Sequence, residues 1–72
     1  MVLTVVGDEA GTAITTGDYN TALGFQALKT NTTGQQNIAI GSDALRDNTD
    51  GQYNVSLGTD ALRVSSTGDS NT

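Results

Sequence analysis

At 72 residues with no cysteine and no histidine, the chain has room for one small domain. It has no disulfide framework or imidazole metal site to brace that domain, so stability must come from stacked units or from association with other chains. Eight acidic residues against three basic ones give a net charge of −5, and a nucleic-acid backbone would be repelled rather than neutralised.

The first element in chain order is the apolar run Val2 to Val6, interrupted by Thr4. It is far below a membrane span and too short for a signal-peptide core, so no membrane insertion is expected. Apolar residues make up only 35% of the chain, and its large aromatic side chains are Tyr19, Phe25 and Tyr53. That is too little for a conventional core of bulky residues. The low charged fraction of 15% and the regular spacing of the aliphatics nevertheless argue against disorder.

From Gly17 onward the sequence repeats every 17 residues without a gap, as units 17–33, 34–50 and 51–67. Gly17/Gly34/Gly51, Asn20/Asn37/Asn54, Gly24/Gly41/Gly58, Ala27/Ala44/Ala61 and Leu28/Leu45/Leu62 are identical in all three units. Leu23/Ile40/Leu57 stay aliphatic and Lys29/Arg46/Arg63 stay basic. Residues 68–72 reproduce the opening of a fourth unit, and residues 1–16 read as a degenerate one, with Thr4, Val6, Gly7 and Ala10 aligned to Thr21, Leu23, Gly24 and Ala27. Internal repetition on this scale means stacked structural units. With no capping unit in view, the expectation is either a piece of a longer array or open ends that join other copies.

Each unit opens on a strand, as in Asn37-Ile-Ala-Ile-Gly41, where aliphatic and small residues alternate. The columns Thr21/Ile38/Val55 and Leu23/Ile40/Leu57 are expected to supply the core. The small side chains of the other face permit close approach of another backbone, from the same coil or a neighbouring chain. With strands about 4.8 Å apart, Asn20, Asn37 and Asn54 are expected to form a ladder of side-chain amides. The second element is one helical turn over Ala-Leu-Lys/Arg, with Ser42 and Thr59 as caps. The unit then closes on loop residues such as Asn-Thr-Asp-Gly. The fold predicted is mainly all-β, a parallel β-solenoid with one short strand and one helical turn per coil. One coil buries little beyond residues such as Ile40 and Leu45, so stacking and chain association must supply the rest.

Asn20-Thr-Ala-Leu-Gly24 and Asn37-Ile-Ala-Ile-Gly41 carry a resemblance that extends over residues 17 to 72. The unit resembles repeats in the fibre and stalk regions of phage tail-fibre proteins, often upstream of a chaperone-of-endosialidase type terminal domain. It is also similar to the Asn-x-Ala-x-Gly units of trimeric autotransporter adhesin heads, which form trimeric left-handed parallel β-rolls; adhesin coils are typically shorter and lack the Ala-Leu-Lys/Arg turn. The resemblance implies a homotrimer, extracellular or on a virion, that holds a distal tip away from a surface. It brings no catalytic residues.

Other chemistry is poorly served. Asp47-Asn48-Thr49-Asp50-Gly51 looks like an acidic calcium loop, but the EF-hand register puts Arg46 at the first ligand position and supplies no glutamate at the last. Ile40-Gly-Ser-Asp-Ala-Leu45 fits the hexapeptide of acyltransferase β-helices only once per coil, and the usual general base of such an enzyme is missing. No nucleophile triad or phosphate loop is present, so neither catalysis nor a cofactor nor a metal is expected. Tyr19 and Tyr53 share a column and can offer stacking surfaces to a glycan or receptor, or cover the core edge or a chain interface. The basic column is expected to pair with acids such as Asp43 and Asp60. An ice-binding threonine ladder is weakened because Ile38 and Val55 replace Thr21 in its column.

Two functional readings follow. The first is a trimeric fibre or adhesin segment that supplies length while distal parts do the recognition. The second is a filament subunit, joined head to tail through the Gly68–Thr72 and Thr4–Gly7 regions, since heterologous contacts that do not close give filaments.

Overall fold

The computed structural model describes residues 2–63 and Gly68. Residues 64–67 of the third expected unit and 69–72 of the partial fourth lie outside the described residues. Four short strands form one parallel sheet in the order β1-β2-β3-β4: β1 Leu3–Val6, β2 Asn20–Leu23, β3 Ile38–Ile40 and β4 Val55–Leu57. The described residues are all β with no helix among them, an arrangement consistent with a β-solenoid-like fold.

Register follows the aligned columns. Thr4 pairs with Thr21, Thr21 with Ile38 and Ile38 with Val55, while Val6, Leu23, Ile40 and Leu57 pair in the same succession. Each strand therefore meets the equivalent stretch of the next circuit of chain, and β1 takes its place despite its divergent sequence. A parallel neighbour needs a crossover, and here the rest of each unit is that crossover.

Backbone pairing between circuits does not stop where the strands stop. Gly24 N–H donates to Val6 O at 2.8 Å and Gln26 N–H to Asp8 O at 2.9 Å, both toward the preceding circuit. Leu28 N–H then donates to Ala44 O at 3.0 Å and Thr30 N–H to Arg46 O at 3.1 Å, toward the following one. One circuit later Gly41, Asp43, Leu45 and Asp47 repeat the pattern. The N–H groups between them close overlapping four-residue turns, Ala27 to Gly24 O, Lys29 to Gln26 O and Asn31 to Leu28 O. The first two turns carry a positive φ at their third residue, 59° at Gln26 and 53° at Leu28, as type II turns require.

This corrects the expected helical turn, and with it the capping roles of Ser42 and Thr59. Good helix formers gain only a few tenths of a kcal/mol per residue over average ones. A single turn with costly nucleation does not compete with ladder bonds to two neighbouring circuits.

The inward face of the strands is also the reverse of the one expected. Ala22, Ala39, Ala27, Ala44, Leu28 and Leu45 are fully buried and form the core, with Leu62 packed against it. Leu23 and Leu57, by contrast, are 45% and 75% exposed. The leucine of the turn reaches into the narrow interior, so the strand opposite it contributes alanine or Ser56; in the first circuit, where Gly11 stands in the leucine column, the strand residue is Val5. A second row of large aliphatics would overfill the space.

Candidate functional site

Two sets of residues emerge from this frame: a buried polar spine and an exposed apolar face. The spine begins with the first strand position of each unit. Asn20, Asn37 and Asn54 are buried, and a buried amide must find partners for both its donor and its acceptor. Asn20 Oδ1 accepts from Asn37 N–H at 3.0 Å, and Asn37 Oδ1 accepts from Asn54 N–H at 3.0 Å. The amide nitrogens donate to glycine carbonyls of the next circuit: Asn20 to Gly34 O at 2.8 Å, Asn37 to Gly51 O at 2.9 Å and Asn54 to Gly68 O at 2.8 Å. The predicted ladder is present, but it joins side chain to backbone rather than amide to amide.

A second column, Asn31 and Asn48, does join amide to amide. Asn48 Nδ2 donates to Asn31 Oδ1 at 2.7 Å. Asn31 also donates to Gly34 O at 3.0 Å and Asn48 to Gly51 O at 3.1 Å, so each of those carbonyls serves both columns. The sequence pattern places these two asparagines among the loop residues that close each unit. Their shared column, three residues before an invariant glycine, was the available signal.

Glycine is required where the spine is tightest. A Cβ on Gly34 would strike the Gly51 carbonyl oxygen and Asn31 Oδ1, and one on Gly24 would lie 2.7 Å from the carbonyl carbon and oxygen of Gly41. Removing one spine amide tests the arrangement. Asn37→Ala leaves the Asn54 N–H without its acceptor and takes one of two donors from Gly51 O, a loss of about 1–3 kcal/mol for an orphaned buried group. Urea denaturation reads this loss against Gln35→Ala, an exposed position expected to stay within about 0.5 kcal/mol.

The apolar face is the outward side of the strands. Ile38 is 40% exposed there, beside Leu23, Val55 and Leu57. Tyr19 and Tyr53 border it at 58% and 50% exposure, both at positive φ. Among the large exposed hydrophobics only Val5 and Phe25 fall outside these outward columns. No charged residue occurs in the columns that begin at Val2, Thr4 and Val6. Thr4, Thr21 and the exposed Gln36 complete those columns, and an uncharged, largely apolar face of this kind marks an interaction surface.

Charges gather on the turns instead. Arg46 meets Asp43 at 3.9 Å and Asp47 at 3.1 Å, Arg63 meets Asp60 at 3.8 Å, and Lys29 reaches Glu9 of the preceding circuit at 3.8 Å. The expected pairing of the basic column with Asp43 and Asp60 is present. The hydrogen bond that Arg46 Nε donates to Asp47 Oδ1 raises the guanidinium above its ordinary value. Asp18 is held below the usual carboxylate range, chiefly by the backbone N–H of Val2 and also by that of Tyr19.

Among the described residues no three His, Cys, Asp or Glu side chains cluster as metal ligands, no pocket opens, and no helix is long and apolar enough to cross a membrane. Comparison of the chain with protein-family models, with curated proteins and with solved structures finds no match.

Proposed function

We propose that this chain is a structural segment of an extracellular or virion-borne fibre or adhesin, a homotrimer whose stacked units supply length and stiffness while other parts carry recognition. The observation that supports this reading is the backbone ladder, which links consecutive circuits through strands and turns alike. Such a stack resists bending and shear along its whole perimeter. Among the described residues its interior is filled by alanine, leucine and the asparagine spine, and no pocket opens.

Sedimentation of the chain, with negative-stain electron microscopy of the same sample, tests the reading. A discrete particle of three chain masses is the expected result. A folded monomer at every concentration overturns it, and open-ended fibres of indefinite length would identify a subunit that polymerises head to tail instead.

A further inference from the structure

Tyr19, Gln36 and Tyr53 stand in one straight column at the border of the outward strand face. All three have the same left-handed backbone, with φ of 58°, 57° and 60°. All three donate their N–H groups to the preceding circuit, to Val2 O at 2.7 Å, Asp18 O at 2.9 Å and Gln35 O at 3.1 Å. Their Cα–Cβ bonds therefore leave the stack in parallel, and all three residues are exposed. A left-handed backbone is a cost to any side chain of this size. At Leu28 and Leu45 complete burial offsets it. The two tyrosines gain no comparable burial, so packing within the chain does not explain an aromatic ring at either position.

Spacing and charge identify a ligand. Two circuits of about 4.8 Å set the rings roughly 9.6 Å apart along the stack. That is close to the length of two sugar residues in an extended β-1,4-linked chain. Each pyranose of such a chain is turned over relative to the one before, so the same face recurs at every second residue. Rings on alternate circuits meet equivalent faces, and the Gln36 amide stands opposite the hydroxyls of the sugar between them. No lysine or arginine occurs in the columns of residues 18 to 21, so an acidic sugar finds no basic side chain there. The carboxylate of Asp18 is turned onto the N–H groups of Val2 and Tyr19. Neutral sugars suit the column, because their weakly positive C–H groups stack on the negative faces of aromatic rings. A proline-rich peptide also advances about 9 Å per turn of polyproline II. Such peptides are held in aromatic-lined grooves, and among the described residues no pocket opens.

We propose that Tyr19, Gln36 and Tyr53 form a binding strip for a neutral, extended β-1,4-linked glycan of the cellulose or chitin type, lying along the stack axis. The shaft itself then holds polysaccharide, whatever the number of chains in the fibre.

These are the only tyrosines of the chain, and it has no tryptophan, so tyrosine fluorescence reports on the strip directly. Titration with cellohexaose and with chitohexaose is expected to change it to saturation, and the tighter of the two names the sugar. Maltohexaose, whose α-linked chain coils, is expected to leave it unchanged. Tyr19→Ala and Tyr53→Ala should each weaken binding on the order of tenfold. The double variant Tyr19→Gln with Gln36→Tyr keeps the composition but moves the rings to adjacent circuits, about 4.8 Å apart. It should lose binding while its circular dichroism and sedimented mass match those of the wild type. Equal binding by this variant would overturn the assignment, as would silence toward both β-linked hexamers or a response to a polyproline peptide alone. A changed sedimented mass in the single variants with unchanged sugar binding would place the rings at a contact between chains instead. Wild-type sedimentation decides the fibre reading separately, so the two readings fail independently.

Discussion

Gly41→Ala is expected to abolish the folded state, while Gly58→Ala, in the same column, should cost only about 1–3 kcal/mol. The two glycines adopt nearly the same backbone conformation, with φ of 127° and 120°. Any residue with a Cβ is strained there, so the conformational penalty is common to both substitutions. What differs is the next circuit. A Cβ at Gly41 would stand 2.6 Å from the carbonyl carbon and oxygen of Gly58, whereas at Gly58 nothing lies within 4 Å among the described residues. The obstructing carbonyl cannot move aside alone, because the adjoining Gly58 N–H is bonded to Ile40 O at 2.8 Å. Relief would require separating two circuits, which breaks ladder bonds on both sides of the contact. Thermal melts followed by far-ultraviolet circular dichroism should show no cooperative transition for Gly41→Ala and a lowered but intact one for Gly58→Ala. Equal effects of the two substitutions would mean that strain, not stacking, sets the requirement.

Leu45→Asp and Ile38→Asp separate the inside of the stack from its outward face. Leu45 is fully buried and has Leu28 in the equivalent position one circuit away, with Leu62 on the other side. A carboxylate there loses its hydration with no cation in reach, and the expected outcome is a chain that does not fold at neutral pH. Ile38 points outward from the centre of the sheet, so Asp in its place spares the alanine and leucine core of its own circuit. Its effect should fall on association. The wild-type denaturation midpoint should rise with protein concentration, as it must when only the folded state binds further copies. That of Ile38→Asp should be lower and independent of concentration. A wild-type midpoint that does not move with concentration would contradict the expectation.

The period and the strand positions could be read from the sequence because recurrence needs no knowledge of direction: wherever Asn37-Ile-Ala-Ile-Gly41 falls, its neighbours seventeen residues away fall beside it. Which side of the strand faces inward was not legible from alternation. Ile38 and Ile40 look like core, and Asn37 and Ala39 look like a surface that tolerates contact. Burial of the smaller set follows from groups far from the strand. Leu28 and Leu45 come in from the turn and fill the centre, and the carbonyls of Gly34 and Gly51 need the donors of Asn20 and Asn37. The turn was misread for a related reason. Ala27-Leu28-Lys29 favours helix on local grounds, but Gln26 and Leu28 take positive φ so that Gln26 N–H can reach Asp8 O and Leu28 N–H can reach Ala44 O. Local preference is a weak guide where every residue also answers to the circuits on either side of it.

The constant register has a consequence for how such a chain changes length over evolutionary time. Each circuit bonds only to its immediate neighbours through the same columns, so recombination between misaligned copies of the gene that adds or deletes 17 codons restores every contact, wherever in the unit the crossover falls. An insertion that is not a whole number of units would bring asparagine against aliphatic and glycine against a side chain. Length is therefore free to vary in whole units, while the unit itself is held almost fixed.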